Sequence, residues 1–193
     1  MNQASGKYET VEHCGFCNND CSKYWSQTQQ HAQGVCDVLP DMPSCKMACV
    51  TEVEDGGTYE WVDVDGEEPN GCECRRVLGN LETDLPEVVP APPPSSKYPD
   101  ENCDGIDGVI GNALFVWAGA SPGGTGTLQR PFRSIGVALA SLPASGKKYV
   151  LVAEGTYQEN VALSPGMELF GGYSPDFRSR EPLLHTSIIV GQT

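Results

Sequence analysis

Apolar residues are spaced in two different ways along this chain. From about residue 101 onward they fall in short runs separated by turn residues. The run 113–117 predicts a strand, and the glycine-rich stretch 119–127 after it predicts a loop. Ile135, Ala138, Leu139 and Leu142 then recur at i, i+3, i+4 and i+7, the spacing of one helical face. Ser134 is placed to cap that helix, and Pro143 is expected to stop it. Four β-like runs follow, at 149–152, 159–163, 167–170 and 187–190, with Gly155, Pro165, Gly166, Gly171 and Gly172 between them.

Strands so short and so often interrupted do not suit the hairpins of a large sandwich. They fit the sides of a β-solenoid, in which each strand pairs with its equivalent one coil on and a helix caps the first coil. The last run ends almost at Thr193 and would leave a pairable edge. We therefore expect this chain to be an internal fragment of a longer protein.

Between residues 8 and 76 apolar periodicity fades and cysteine replaces it: Cys14, Cys17, Cys21, Cys36, Cys45, Cys49, Cys72 and Cys74. Dense cysteine in a small segment predicts a disulfide framework and an oxidising compartment, with pairing left open. Trp25, Tyr59 and Trp61 are the expected apolar fillers, and a short helix is expected over 22–31. Cys103 is the odd cysteine of the 9. Residues 77–100 carry Pro86, Pro90, Pro92, Pro93, Pro94 and Pro99 beside Ser95 and Ser96, which reads as an extended, semi-rigid linker. The resulting organisation is a cysteine module at 8–76, an acidic Pro-rich linker at 77–100 and a third unit at 101–193.

The formal net charge of -14 is concentrated in the cysteine module and the linker. Phosphate binding needs a basic face, so nucleic acid is not an expected partner. No apolar stretch is long enough to span a membrane. The N-terminus also lacks the apolar core of a signal peptide, so an export signal is expected outside this chain.

Four motifs bear on chemistry. Asp100, Asn102 and Asp104 place oxygen ligands at alternate positions before Gly105, and Asp107 adds a carboxylate, which matches the opening of a calcium loop. Gly111 stands where an EF-hand needs its bidentate Glu, so the expectation is a partial calcium site completed by other loops. The acidic turn of Asp63, Asp65, Glu67 and Glu68 is explained by turn chemistry. His13, Cys14, Cys17 and Cys21 have zinc-ligand spacing, but a matching second pair is absent and disulfides are the expected use. Glu154 and Glu159 are close enough in sequence to be read as paired carboxylates, although surface carboxylates beside strands are far commoner. The histidines His13, His31 and His185 are scattered.

A resemblance follows from the order of these features. Asp100, Asn102, Cys103, Asp104, Gly105, Asp107 and Gly108 lead into 114–117, then Thr127, Pro131, Ser134 and Ile135, then 149–153, Gly155, Tyr157, Glu159, Val161 and 169–173. This resembles the N-terminal cap and first coils of a pectin-lyase-like right-handed parallel β-helix. Within that class it is similar to an uncharacterised domain family of large secreted bacterial proteins with cysteine-rich N-terminal regions. The Cys103, Asp104, Gly105 and Asp107 element resembles a metal-binding motif of bacterial surface proteins, of a type described as metal-binding or copper-repressible. Cys14, Cys17, Asn18, Asn19, Asp20 and Cys21, with Trp61, Gly66, Asn70, Cys72 and Cys74, resemble cysteine-rich repeats of the same proteins. The resemblance implies export and an outer-surface, lipoprotein-like setting. Pectin-lyase-like enzymes place their catalytic groups on middle coils, so no catalytic residue carries over.

The expected fold is mainly β: a small disulfide-rich irregular module, a Pro-rich linker, then the start of a right-handed parallel β-helix with a short capping α-helix. The expected function is a non-catalytic extracellular or cell-surface structural or binding module, stabilised by calcium, with extracellular glycans or surface proteins as partners. One alternative is the non-catalytic N-terminal part of a secreted polysaccharide lyase or glycoside hydrolase. Another is an intracellular zinc-binding protein.

Overall fold

The computed structural model describes residues 6–54, 56–87 and 98–192. The chain is mainly β and divides into two compact units, Met1–Asn80 and Leu81–Thr193.

The first unit consists of small antiparallel sheets. β1 (Glu9–Thr10) pairs with β2 (His13–Cys14). β3 (Ala32–Asp37) pairs with β4 (Ser44–Cys49). β5 (Thr51–Glu54), β6 (Gly57–Val62) and β7 (Cys74–Val77) form a meander. Cys36 and Cys45 face each other across β3 and β4, yet they do not bond to one another. Cys36 bonds Cys14 and Cys45 bonds Cys21, so the N-terminal arm is stapled twice to that hairpin. Cys49 bonds Cys72, which ties the end of β4 to the segment entering β7.

Among the described residues of this unit, the fully buried hydrophobic side chains are half-cystines and Ala32, not aromatics. Trp25, Tyr59 and Trp61, expected to fill the core, are only half-buried. The Trp61 ring stacks on His31 with centroids 3.4 Å apart, and the Arg75 guanidinium lies 3.8 Å from the Tyr59 ring centroid. Close packing around the cystines restricts the backbone. A Cβ on Gly34 would run into the Cys21 carbonyl oxygen, so only glycine fits there.

The helix expected over 22–31 does not form. A single 3-10 turn, Cys21–Lys23, is capped by the Asp20 carboxylate. The chain then turns, with the Gln30 side chain accepting from the Ser26 N–H. The Gln30 carbonyl accepts from Cys72 rather than from a helical neighbour, and His31 takes a positive φ of 49°. The disulfides and these cross-chain hydrogen bonds override a weak local preference.

The second unit is built on parallel pairing. β8 (Ala113–Val116), β9 (Tyr149–Ala153) and β11 (Glu168–Tyr173) form one parallel sheet, with Ala113, Tyr149 and Glu168 in register. β10 (Gly155–Gln158) and β12 (Ser187–Val190) form a second parallel pair. Both faces of β8 and β9 are buried, as their near-continuous apolar runs require. Leu114, Val116, Val150 and Val152 pack against α1 (Ile135–Ser145) through Ile135, Ala138, Leu139 and Leu142. Phe115, Tyr149 and Leu151 face the other way, onto Ile106, Tyr173 and Phe177. Each fully buried Leu or Ile in these layers contributes roughly 1.5–3 kcal/mol. A bulge in β11 returns Tyr173 to this second layer. It turns at Gly172, where φ is 92° and a Cβ would lie 2.7 Å from Pro182.

Three further expectations change. Pro143 lies inside α1 and does not stop it; the helix ends at Gly146, which takes the left-handed conformation. Near a C-terminus, the lost N–H and the crowding of a proline disturb only the last turn. The strand expected at 159–163 forms instead at Gly155–Gln158, and Glu159 caps α1. The linker is not a free spacer at either described end: Asp84, Pro86 and Tyr98 are buried, and residues 81–87 belong to the second unit. Pro90, Pro92, Pro93, Pro94, Ser95 and Ser96 lie outside the described residues.

Replacing Cys14 and Cys36 together by serine opens a crosslink of sequence separation 22. Loss of roughly 3 kcal/mol from the first unit is expected, read as a lower thermal midpoint of its own transition while the second unit's transition stays in place.

Candidate functional site

The turn at 100–105 brings three of the four expected calcium ligands together. The Asp104 N–H lies between Asp100 Oδ1 at 3.2 Å and Asn102 Oδ1 at 3.0 Å. Gly105 donates to Asp100 Oδ2 at 2.8 Å. The Asp104 carboxylate accepts from Ile106 and Ile110. Burial raises the pKa of Asp100 and Asp104, and these backbone donors work against it. Such a turn satisfies its acidic oxygens with its own peptide N–H groups.

The fourth expected ligand, Asp107, has one oxygen engaged by an arginine. It is 4% exposed and its Oδ2 accepts from Arg180 Nη1 at 2.8 Å. Arg180 is 6% exposed and every arm of its guanidinium is used. Nε donates to the Gly171 carbonyl at 3.0 Å and Nη2 to the Glu87 carbonyl at 2.9 Å. The Tyr98 ring centroid lies 4.5 Å from it. One side chain thus holds Asp107, β11 and the described parts of the linker on either side of residues 88–97.

A second carboxylate lies beside this arginine, and Asp84 is buried close to Asp107. Glu87 Oε2 is 4.0 Å from Nη1. Asp84, 2% exposed, accepts from the Gly108 N–H at 2.9 Å through Oδ2. Asp84 Oδ1, Glu87 Oε2 and Asp107 Oδ1 are buried without a hydrogen-bond donor. Burial pushes the Asp84 carboxyl up to about 7, against the Gly108 N–H that lowers it and with the charges of Asp107 and Asp100 adding to the rise. Burial likewise raises Asp107 to about 6, against Arg180, with Glu87 reinforcing it. Tyr149, whose hydroxyl accepts from the Val109 N–H at 2.6 Å, is pushed to about 12, mainly by burial.

The remaining motifs resolve into structural roles. Cys14, Cys21, Cys36, Cys45, Cys49 and Cys72 form the three disulfides described above, and Cys74 and Cys103 are disulfide-bonded as well. The free thiol is Cys17, which is exposed. Cys103 is therefore not the odd cysteine. The sequence could not distinguish the two, because pairing depends on which Cα atoms the fold brings to about 5–6 Å. Zinc-ligand spacing at His13, Cys14, Cys17 and Cys21 has no thiolates at Cys14 and Cys21 to offer, and His13 Nδ1 accepts from the Asn18 N–H. Asp63, Asp65 and Glu73 each place an oxygen within 4.8 Å of the others. Asp63 and Asp65 accept N–H groups of their own turn, and Glu73 accepts from Val64.

Glu154 and Glu159 are engaged by different partners. Glu159 caps α1, accepting from the Ile135 and Gly136 N–H groups at 2.8 Å each and from the Ser134 hydroxyl. Ser134 itself caps the Val137 N–H, as expected. A carboxylate at this position also complements the positive end of the helix. Glu154 Oε2 contacts His185 Nδ1 at 2.7 Å. A cleft of about 290 Å³ beside α1 is lined by Gly136, Leu139, Ala140, Asn160, Ala162, Ser164 and Met167, none of them titratable.

No family model, curated protein or solved structure matches this chain.

Sequence reasoning missed Arg180, Asp84 and Glu87. Asp84 and Glu87 stood in what read as a solvated linker, and Arg180 lies in a turn without periodicity. The only hint was Pro86 between two acids.

Arg180→Met should cost about 3–5 kcal/mol, because it leaves Asp107 buried and unpaired; chemical denaturation of the second unit measures this. The pH dependence follows from the raised acids. A folded-state pKa above the unfolded value means that the folded unit holds more protons, so stability is greatest on the acid side and is lost as pH rises through 6–7. Between pH 5 and pH 8 the second unit should lose on the order of 2–4 kcal/mol. Asp84→Asn should recover most of the loss at pH 8.

Proposed function

We propose that this chain is a non-catalytic extracellular or cell-surface structural and binding module. Its second unit forms the opening coils of a right-handed parallel β-helix, and the flank of those coils contacts glycans or surface proteins. The observation that carries this reading is the oxidised cysteine framework of the first unit. Such a framework belongs to an oxidising compartment and substitutes for a large apolar core. The in-register ladders β8–β9–β11 and β10–β12 support the second part, since successive coils of a solenoid pair in this way. The non-catalytic part rests on Glu159, whose carboxylate is committed to capping α1. Among the described residues no helix is long and apolar enough to cross a membrane.

The test is intact mass and thiol titration on protein exported to an oxidising compartment. We expect four disulfides and one reactive thiol, at Cys17. Nine reactive thiols with retained zinc would sink the reading. On immobilised acidic and neutral polysaccharides, the same protein should bind without releasing new reducing ends.

A further inference from the structure

The N-terminal arm of the first unit carries Cys14, Cys17 and Cys21, and the β3–β4 hairpin carries Cys36 and Cys45 opposite each other. Two bonds, Cys14–Cys36 and Cys21–Cys45, tie the arm to the hairpin. The two bonds are neighbours. The Sγ atoms of Cys14, Cys21 and Cys45 all lie within 4.8 Å of one another, so a sulfur of one bond sits against both sulfurs of the other. Facing residues of an antiparallel pair, such as Cys36 and Cys45, have Cα atoms about 4.5–5.5 Å apart. That separation is inside the range a disulfide needs.

The same four cysteines therefore admit a second pairing, Cys14 with Cys21 and Cys36 with Cys45. Exchange needs a thiolate that attacks one sulfur of a disulfide and expels the other. Cys14 and Cys21 are fully buried, whereas Cys36 and Cys45 are partly exposed, so attack enters through the hairpin. A small thiolate bonds to Cys45 and expels Cys21 as a thiolate. Cys21, beside Cys14, bonds to it and expels Cys36. Cys36, opposite Cys45, bonds to it and returns the small thiolate. Two disulfides enter and two leave, no electrons are gained or lost, and the small thiol acts as a catalyst.

We propose that the first unit contains a thiol-triggered exchange switch, in which Cys14–Cys36 and Cys21–Cys45 convert to Cys14–Cys21 and Cys36–Cys45. The converted form closes one small loop within the arm and one across the hairpin. No covalent bond then joins arm to hairpin, because the arm's remaining cysteine, Cys17, is free. Release of the arm uncovers β3 at Gly34, against which the Cys21 carbonyl packs. The switch depends on the oxidised framework of the proposed module and not on its surface role. Both pairings have the same mass and the same thiol count, so only the linkage between peptides tells them apart.

Non-reducing peptide mapping of the full chain tests this, with Cys17→Ser removing the free thiol and glutathione as the probe. Once thiols are blocked, cleavage after Lys7, Lys23 and Lys46 leaves residues 8–23 and 24–46 linked in the first pairing and separate in the second. The separate, internally bonded peptides should appear with glutathione and stay absent without it. They should form about eightfold faster at pH 8 than at pH 7, following the thiolate fraction of a thiol with a pKa of about 8.5. Two variants on the Cys17→Ser background isolate single steps without added thiol. Cys14→Ser leaves Cys36 free, and at pH 8 it should displace Cys21 from Cys45 in part of the molecules. Cys21→Ser leaves Cys45 free, and it should displace Cys14 from Cys36. If one variant fails to fold, the other decides. Only linked peptides in the glutathione-treated chain would overturn the switch, as would a free Cys36 or Cys45 that never exchanges in a folded variant.

Discussion

The buried pair between Arg180 and Asp107 is the constraint around which the second unit is arranged. Burying two charges is expensive, and the cost is offset only where the geometry is good and the remaining donors are satisfied. The arginine meets both conditions, while Asp107 Oδ1 stays without a donor. The guanidinium donates to a carboxylate and to two backbone carbonyls, and it lies against aromatic rings. One of those carbonyls, at Gly171, lies in the β11 bulge, and the other, at Glu87, ends the described segment 81–87. Removing the arginine would therefore take away a hydrogen bond to β11, a hydrogen bond to Glu87 and the partner of Asp107 together.

The two units reach stability by different means. The second has a parallel sheet buried on both faces, with α1 on one side and Phe177 on the other. Its strength is apolar area, with polar detail at the edges. The first unit has no such area. Among its described residues the fully buried hydrophobic positions are half-cystines and one alanine, so its fold depends on restricting the unfolded chain by crosslinks. That difference explains why glycine is demanded at Gly34: the backbones around a disulfide approach more closely than a Cβ allows.

Polar residues that read as chemistry in isolation became structural in context. Glu159 resembled half of a catalytic pair until its oxygens were found on the α1 N–H groups. Asp107, expected as a metal ligand, places one oxygen on Arg180. In both cases the partner lies far along the chain, 24 residues for Glu159 and Ile135 and 73 for Asp107 and Arg180. Local spacing carries no information about such partners.

The sequence by itself determined what depends on near neighbours. The helical face of Ile135, Ala138, Leu139 and Leu142 is set by the 3.6-residue period, and the strands at Tyr149–Ala153 and Ser187–Val190 by short apolar runs between turns. Cysteine density was enough to indicate a crosslinked first unit. Only the tertiary structure decided which cysteine stays free, where Pro143 sits in α1, why 22–31 is not a helix, and that residues 81–87 are bound instead of solvated. Each of these depends on groups brought together by chain folding, where desolvation and a distant hydrogen-bond partner outweigh local preference.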